Sequence, residues 1–321
     1  MKRPMRLRGN RLLRDLVAEA RFMRGQLVQP LFAVEGVDAD QPITALGETA
    51  RQSIDGTLKR VERDLEAGVT QFLLFPVPDQ KGESGFRAEF AAKAIGSLKK
   101  RFGSDLLLWV DTCLCSLTVH GHCGVFHGKG KDGGKLDLEA TRKELAGIAR
   151  VYADAGADGI SPSDMMDGRV AAIRASLDGG GHSEIPIMSY STKFSSHFYG
   201  PFREAADSAP KFGDRKAYQI DARNRTDAIR SSVRCAEEGA DLLMVKPGMT
   251  SIDLILPIHE ATGKPVGAYQ VSGEYASLTL LAEKGLISFD DALLETWAVF
   301  KRAGAQYLIT YGARHAKRLG L

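Results

Sequence analysis

The sequence lacks the features that mark several classes of protein. No apolar run approaches the roughly 20 residues that a membrane-spanning helix needs. Lysine and arginine number 43 against 40 aspartates and glutamates, a formal charge of only +3, which does not indicate electrostatic binding of nucleic acid. Hydrophobic residues make up 44% and charged residues 26% of the chain, and only four residues are cysteine. This composition excludes a disordered chain, a coiled coil and a disulfide scaffold.

The N-terminal segment is basic but does not read as a secretory signal. Residues 1–14 contain six basic residues and no acidic one, and no apolar core follows them. An Arg-rich transit peptide is the alternative, although Asp15 and Glu19 interrupt the acid-free stretch. We interpret residues 1–30 as an extended arm with a short amphipathic helix, packed on its own domain or on a neighbouring subunit. Without a secretory signal we expect a cytoplasmic location and reduced cysteines.

Short apolar runs alternate with helical patterns along the rest of the chain. Most of the runs lack a strict polar/apolar alternation, which is typical of strands buried on both faces. The predicted strands are Leu31–Val34, Gln71–Phe75, Leu106–Val110, Gly159–Ser161, Ile185–Ser189, Leu242–Val245, Val266–Gln270 and Tyr307–Thr310. The predicted helices between them are Thr57–Glu66, Phe90–Phe102, Leu138–Asp154, Arg169–Leu177, Thr226–Glu238, Ser251–Ala261, Ala276–Glu283 and Asp290–Arg302.

Four of the joints between a helix and the next strand share one design. In EAGVTQFLLF, DAGADGISPS, EEGADLLMVK and RAGAQYLITY, a glycine caps the helix and a buried strand follows. Repeated units of this kind predict a parallel sheet, and eight of them predict a (β/α)₈ TIM barrel formed as a single domain by residues 31–321. A doubly wound open sheet is the alternative, but no glycine-rich G-x-G-x-x-G turn follows the first strand.

Polar residues follow the predicted strands at the end where a barrel enzyme builds its active site. The joints before the strands carry glycine and alanine instead, and this asymmetry indicates an enzyme. The polar residues are Asp111 after the third strand, Ser163 after the fourth, Lys193 beyond the fifth, Lys246 after the sixth, Ser272 after the seventh and Tyr311 after the eighth.

Lys246 is the most informative single residue because it directly follows four apolar residues in DLLMVKPG. Burial disfavours the ammonium form and lowers the pKa of a lysine. A second lysine from the adjacent strand end, Lys193, would lower it further, which prepares an amine for Schiff-base chemistry. The alternative is that Lys246 extends to solvent or pairs with a carboxylate such as Asp241.

Three cysteines are spaced C-x-C-x₇-C at Cys113, Cys115 and Cys123. Three thiolates on one loop hold Zn²⁺ with an open position for water or substrate, whereas structural zinc normally has four protein ligands. His120 and His122 could add a fourth ligand or act as acid and base. The alternative is three reduced thiols without a metal.

Residues 193–216 form a long segment without clear periodicity, which is typical of a lid. Arg203 and Arg215 lie on it, and two arginines can bind a carboxylate. The alternative is a solvated, charged surface loop.

Taken together, these motifs resemble one family, porphobilinogen synthase, also called 5-aminolevulinate dehydratase. The resemblance spans nearly the whole chain, and the matching segments occur in the same order as in the family. The matching segments are RLRGNRLLRDLVAEARF, PLFAVEG, DTCLCSLTVHGHCG, SPSDMMDGRV, MSYSTKFSSHFYGPFREAADSAPKFGDRKAYQ, DLLMVKPGMTSIDLI and PVGAYQVSGEY.

The resemblance implies an asymmetric condensation of two 5-aminolevulinate molecules to porphobilinogen, a haem precursor, with loss of two waters. It implies a Schiff base on Lys246 and a second active-site lysine at Lys193. The other implied roles are as follows: Arg203 and Arg215 hold one substrate carboxylate, Ser272 and Tyr311 hold the other, Asp111 and Ser163 line the pocket, and Cys113, Cys115 and Cys123 bind catalytic zinc.

Two departures from the family pattern affect the expected metals. The family's metal loop usually continues from its second cysteine with proline and tyrosine, whereas Ser116 and Leu117 follow Cys115 here, so zinc affinity is open. Many bacterial members hold an allosteric magnesium with a glutamate at the position of Ser231, so we expect no magnesium there. The family forms octamers through its arms. We expect a homo-octamer, with a hexamer or dimer as alternatives.

Two other functional classes remain as alternatives. A class I aldolase barrel would also use a Schiff-base lysine, but it needs only one, and the three-cysteine loop argues against it. A non-catalytic zinc module would need a fourth ligand with zinc-finger spacing and would leave Lys246 without a role.

Overall fold

The computed structural model describes residues 4–128 and 134–321, and eight parallel strands form its centre. Nearly every strand residue is buried, because helices cover the sheet outside and side chains fill it inside. The strands are β1 (Leu27–Val34), β2 (Gln71–Val77), β3 (Leu107–Thr112), β4 (Gly159–Pro162), β5 (Met188–Lys193), β6 (Leu242–Lys246), β7 (Val266–Gln270) and β8 (Leu308–Thr310).

The strand order confirms the predicted TIM barrel. Consecutive strands pair in parallel from β1 to β4 and from β5 to β8, and β8 returns to pair with β1. The remaining gap is bridged where Ile160 pairs with Ile187 and the Ser161 hydroxyl donates to the carbonyl of Met188 at 2.9 Å. All strand C-termini therefore point to one end of the barrel.

The helices are arranged around this barrel, and most begin or end within a few residues of the predicted positions. They are α1 (Arg11–Leu16), α2 (Ile54–Glu66), α3 (Glu89–Phe102), α4 (Leu138–Asp154), α5 (Arg169–Gly179), α6 (Gly200–Ala205), α7 (Arg225–Glu237), α8 (Ile255–Thr262), α9 (Ser272–Glu283) and α10 (Phe289–Arg302). Among the described residues, no helix is long and apolar enough to cross a membrane.

The predicted glycine caps are confirmed at all four joints. Each glycine has a positive φ, which an L side chain adopts only with strain. The values are +85° at Gly68, +98° at Gly156, +102° at Gly239 and +98° at Gly304. This turn sends the chain from each helix directly into the next barrel strand.

The fifth strand lies closer to the C-terminus than predicted. The apolar residues Ile185–Ile187 suggested a strand over Ile185–Ser189, but β5 runs from Met188 to Lys193. Its residues Ser-Tyr-Ser-Thr-Lys are polar yet all buried. Part of this polarity is paired with the outer helix α7, where the Thr192 hydroxyl donates to the Ala228 carbonyl at 2.9 Å and the Ser232 hydroxyl donates to that of Ser191 at 2.8 Å. Lys193 is therefore the last residue of a strand and not part of the following loop.

The segment after β5 is also more ordered than predicted. It contains the short helix α6, so residues 193–216 are not simply a loop without periodicity. At the N-terminus, β1 already begins at Leu27, within the segment assigned to the arm. Residues 1–3 of that arm lie outside the described part of the chain. The expected amphipathic helix is present as α1, which buries none of its residues.

Candidate active site

The two lysines end adjacent strands of the barrel in the same register. Lys193 on β5 pairs with Lys246 on β6, and the two side chains are only 5% and 3% exposed. Both Nζ atoms lie against the ring of Tyr190, at 5.6 and 4.8 Å from its centroid. The fold thus places two like-charged groups side by side with little access to water.

Aromatic rings enclose the Lys246 amine. Its Nζ lies 4.2 Å from the centroid of Tyr269, 4.8 Å from that of Phe202 and 5.4 Å from that of Tyr199. Asp241 is not its partner, because that carboxylate accepts a hydrogen bond from the Ile187 amide at 2.8 Å, at the opposite end of β6. The sequence-based alternative of a Lys246–Asp241 pair is therefore wrong.

Burial and the nearby charge of Lys193 together lower the pKa of Lys246 well below its ordinary value of 10.5. A buried lysine with a lowered pKa supplies a neutral amine near pH 7, which is the nucleophile that attacks a carbonyl carbon. The structure thus gives Lys246 the environment that Schiff-base chemistry requires.

Asp111 and Ser163 lie beside the lysine pair. The Lys193 ammonium donates to the backbone carbonyl of Ser163, and the Ser163 hydroxyl donates to Asp111 Oδ2 at 3.1 Å. Burial raises the pKa of Asp111 to about 6, although both lysines oppose that shift. This carboxyl group is the nearest acidic group that can balance the charge of the lysines or exchange a proton with them.

The three cysteines converge directly after β3. Their sulfur atoms all lie within 4.8 Å of one another, all three residues are buried, and all are free thiols. Tetrahedral zinc–sulfur bonds of about 2.3 Å would bring the sulfurs to roughly 3.8 Å apart, so a small closure of the cluster accommodates zinc. Three sulfurs without a fourth protein ligand suit a catalytic metal with an open position.

The two histidines of the metal loop do not join this cluster in the described residues. Both ring nitrogens of His122 are engaged, one with the Tyr218 hydroxyl and one with the Phe212 carbonyl, each at 2.9 Å. His120 Nδ1 accepts the His122 amide at 3.1 Å. A fourth-ligand role is therefore not supported, and His122 connects the metal loop to the segment that follows α6.

Arg203 and Arg215 both lie on the predicted lid. Burial and the nearby charge of Arg215 lower the pKa of Arg203. Arg215 is buried and donates to the Gly121 carbonyl at 2.7 Å and to the Ser208 carbonyl. Arg203 is partly exposed and donates weakly to the Ser196 carbonyl at 3.4 Å. Neither forms a salt bridge with a carboxylate among the described residues, so both can bind an anion.

Ser272 and Tyr311 complete the set predicted from the strand ends. Ser272 begins α9, and its hydroxyl accepts the Phe202 amide at 3.1 Å. The Tyr311 hydroxyl lies 3.2 Å from that of Tyr269, whose ring contacts the Lys246 amine. These hydroxyls therefore lie on the Lys246 side of the site, whereas the two arginines lie near the metal loop.

The lid is closed over the site. The cavity between Asp111, Cys115 and Phe202 holds only about 10 Å³, roughly the volume of one water. The Lys81 ammonium pairs with Asp207 at 2.5 Å, and Arg51 donates to the Glu204 carbonyl at 3.1 Å. These two contacts join α6 and the residues after it to other segments of the chain.

Sequence reasoning missed two residues that surround the lysines. Tyr190 and Tyr269 were recognised only as strand residues, since an aromatic residue in an apolar run usually indicates core packing.

Comparison with known proteins shows the family of this chain. A family model described as "Delta-aminolevulinic acid dehydratase" matches residues 1–319. The chain belongs to the delta-aminolevulinic acid dehydratase family. The protein of that name from Helicobacter pylori is 40% identical over 99% of this chain and 98% of its own length, and that from Bacillus subtilis is 40% identical over 98% and 97%.

A solved structure of the same family confirms the architecture. Delta-aminolevulinic acid dehydratase from Toxoplasma gondii, in complex with its reaction product porphobilinogen, superposes with a TM-score of 0.91 at 41% identity, covering 99% of this chain and 91% of the other. A dihydropteroate synthase from Yersinia pestis, at 15% identity and a TM-score of 0.51, shares the fold alone.

The charge of Lys193 is expected to set the pH at which Lys246 reacts. Replacing Lys193 with methionine removes the like charge, so the pKa of Lys246 rises. The rate at which cyanoborohydride traps levulinate, a 4-oxo acid, on Lys246 should then increase only at higher pH than in the parent chain. Mass spectrometry of the Lys246 peptide measures this rate.

The matched control is Lys193→Arg, which keeps the positive charge but removes the amine. Its pH profile should stay near that of the parent chain. Coinciding profiles for the parent and for Lys193→Met would contradict the assigned influence of Lys193.

Proposed function

We propose that this chain condenses two molecules of 5-aminolevulinate into porphobilinogen with loss of two waters. The observation that carries the proposal is the in-register pair of buried lysines, Lys193 and Lys246, beside the three-sulfur cluster. The product is a monopyrrole from which tetrapyrroles such as haem are built. An aldolase requires only one of these lysines, and a non-catalytic zinc module requires neither.

Lys246 begins the reaction in this account. Its neutral amine adds to the ketone carbon of the first substrate, and loss of water leaves a Schiff base. The aromatic rings around Nζ exclude water, and burial together with the charge of Lys193 lowers the pKa of this amine. Ser272 and Tyr311 hold the carboxylate of this substrate, since their hydroxyls lie on the same side of the site as Lys246.

The second substrate lies between Lys193 and the lid. Arg203 and Arg215 bind its carboxylate, and the two positive charges become paired when they do so. Asp111 accepts a proton and returns it, and Ser163 forms hydrogen bonds. Their partners are the substrate amine and Lys193. Closure of the lid over both substrates excludes solvent water from the site. The two water molecules that are lost in the reaction come from the substrates.

Cys113, Cys115 and Cys123 would hold the zinc ion. When bound, zinc supplies a Lewis acid that polarises an oxygen of the second substrate. The buried, fully reduced cluster supports this assignment. Ser116 and Leu117 lie in the loop immediately after the second sulfur and leave the three sulfurs in place. Reduced thiols also suit a cytoplasmic location.

Pyrrole formation from 5-aminolevulinate tests the central proposal. The purified chain, reduced and supplied with zinc, should form pyrrole, and Lys246→Ala should lower the rate by at least about 10³-fold because the nucleophile is lost. Lys284→Ala, on an exposed turn after α9, serves as the control and should retain the parent rate. Absence of pyrrole from the parent chain would overturn the proposed function and favour the aldolase alternative.

Zinc removal tests the metal assignment separately. A strong chelator should abolish pyrrole formation and zinc should restore it. One zinc ion per chain should bind to the parent chain, and Cys123→Ser should weaken that binding by at least about 10-fold when measured by competition with a chromogenic chelator, because one of three ligands has been replaced. Activity that persists in a metal-free sample would keep the condensation but remove zinc from it.

We further propose that the chain assembles through its arm as a homo-octamer and does not require magnesium. Leu12 and Leu16 on α1 are each 79% exposed, so the arm offers an apolar surface to a second copy. The Ser231 hydroxyl donates to the Ser191 carbonyl at 2.7 Å, and the guanidinium of Arg234 lies 3.5 Å from it. A neutral hydroxyl beside a cation does not attract Mg²⁺.

Light scattering of the purified chain tests both statements together. The parent should measure as an octamer whose mass and activity do not change when magnesium is added, whereas deletion of residues 1–20 should leave smaller assemblies. A rise in mass or activity with magnesium would contradict the absence of that site. An unchanged mass after the deletion would contradict the role of the arm.

A further inference from the structure

Glu274 is a buried carboxylate that holds two backbone segments at once. It lies in the first turn of α9 and is 2% exposed. One carboxylate oxygen accepts the amides of Met249 and Thr250, at 2.7 and 3.3 Å. The other accepts the amide of Val271 at 2.9 Å. No cation pairs with it among the described residues, so backbone amides alone compensate its charge.

The two segments joined by Glu274 carry the two groups that receive the first substrate. Met249 and Thr250 follow Lys246 at the end of β6, and Val271 directly precedes Ser272 at the end of β7. A further hydrogen bond, from the Gly248 amide to the Tyr269 carbonyl at 2.7 Å, joins the same strand ends. Beyond the last paired residues of β6 and β7, Val245 and Ala268, three of the hydrogen bonds that join the two strand ends involve the Glu274 side chain.

The same turn of α9 also supports the lid. The Ser272 hydroxyl accepts the amide of Phe202 at 3.1 Å, and the Gly273 amide donates to the carbonyl of Phe198 at 2.9 Å. The ring of Phe202 in turn lies 4.8 Å from the Lys246 amine. A shift of this turn would consequently displace both the carboxylate subsite and one wall around the nucleophile.

We propose that Glu274 is a positioning residue that sets the distance between the Lys246 amine and the carboxylate subsite at Ser272. This inference rests on the proposed function, which assigns those two roles. An oxo acid held by its carboxylate then presents its ketone carbon to the amine, and such alignment is a large part of the advantage of a bound reactant. Glu274 itself contacts no substrate.

The chemistry of the side chain indicates why a carboxylate is needed. Both of its oxygens accept, and they face amides from different segments. Glutamine has nearly the same shape but only one acceptor oxygen, and its amide nitrogen would turn N–H groups toward a backbone N–H group. Glu274→Gln therefore releases one segment from the other without removing bulk from the interior.

The test compares two ketones that share one carbon chain and differ at its far end, where a carboxylate is replaced by a neutral methyl ester. Levulinate carries a carboxylate and methyl levulinate does not. Each forms an imine with the Lys246 amine by loss of water, and cyanoborohydride then delivers hydride to the imine carbon to leave a stable secondary amine. The parent chain should trap levulinate faster than the ester, because the carboxylate subsite aligns the acid with Lys246. Mass spectrometry of the Lys246 peptide gives both rates.

In Glu274→Gln the preference for levulinate over its ester should fall at least tenfold. Glu283→Gln makes the same chemical change at an exposed position of the same helix, and it should keep the parent preference. A folded Glu274→Gln chain, judged by circular dichroism, that retains the parent preference would overturn the proposal. An equal slowing of acid and ester would also overturn it, since that result indicates a general structural effect.

Glu274→Asp covers the case in which the glutamine variant does not fold. It keeps both acceptor oxygens but moves them back by one methylene, so its preference should be lower than that of the parent; an unchanged preference would overturn the proposal. Failure of the proposed function would look different. In that case the parent chain would form no pyrrole from 5-aminolevulinate, whatever its preference between the two ketones.

Discussion

The burial of two lysine amines at the same level of adjacent strands is the constraint on which the rest of the site depends. Lys193 and Lys246 are paired in register, so the fold cannot separate them, and little water reaches either. Two ammonium groups in this position repel each other and lose their hydration. Burial and the charge of Lys193 therefore both lower the pKa of Lys246.

The surroundings of the pair distribute the remaining charge. Lys193 donates to the Ser163 carbonyl, and Asp111 accepts from the Ser163 hydroxyl, so one side of the site is polar. Aromatic rings cover the Lys246 side. The cysteine cluster and the two lid arginines lie beyond Lys193, and Arg215 is tied to the metal loop through the Gly121 carbonyl. The Lys246 side of the site is thus enclosed by aromatic rings, and the other side carries the arginines and the three sulfurs.

The sequence predicts the barrel because several local patterns point to the same repeated unit. Glycine caps, apolar runs and polar strand ends recur in the same order along the chain. The prediction fails where burial does not require apolar residues. β5 is polar although it is buried. The apolar residues Ile185–Ile187 therefore led to a predicted strand that lies too close to the N-terminus. Glu274 escapes for another reason. Its contacts depend on which backbone amides reach it in three dimensions, and it belongs to no spacing pattern that a linear reading can recognise.

The protonation state of Lys246 is the property that the whole account requires, and NMR can measure it directly. In the chain labelled at the lysine ε positions, the Lys246 signal, assigned by its loss in Lys246→Ala, can be followed as the pH is varied. Lys246 is expected to titrate well below the ordinary lysine value of 10.5. A Lys246 signal that titrates at the ordinary value would contradict this expectation.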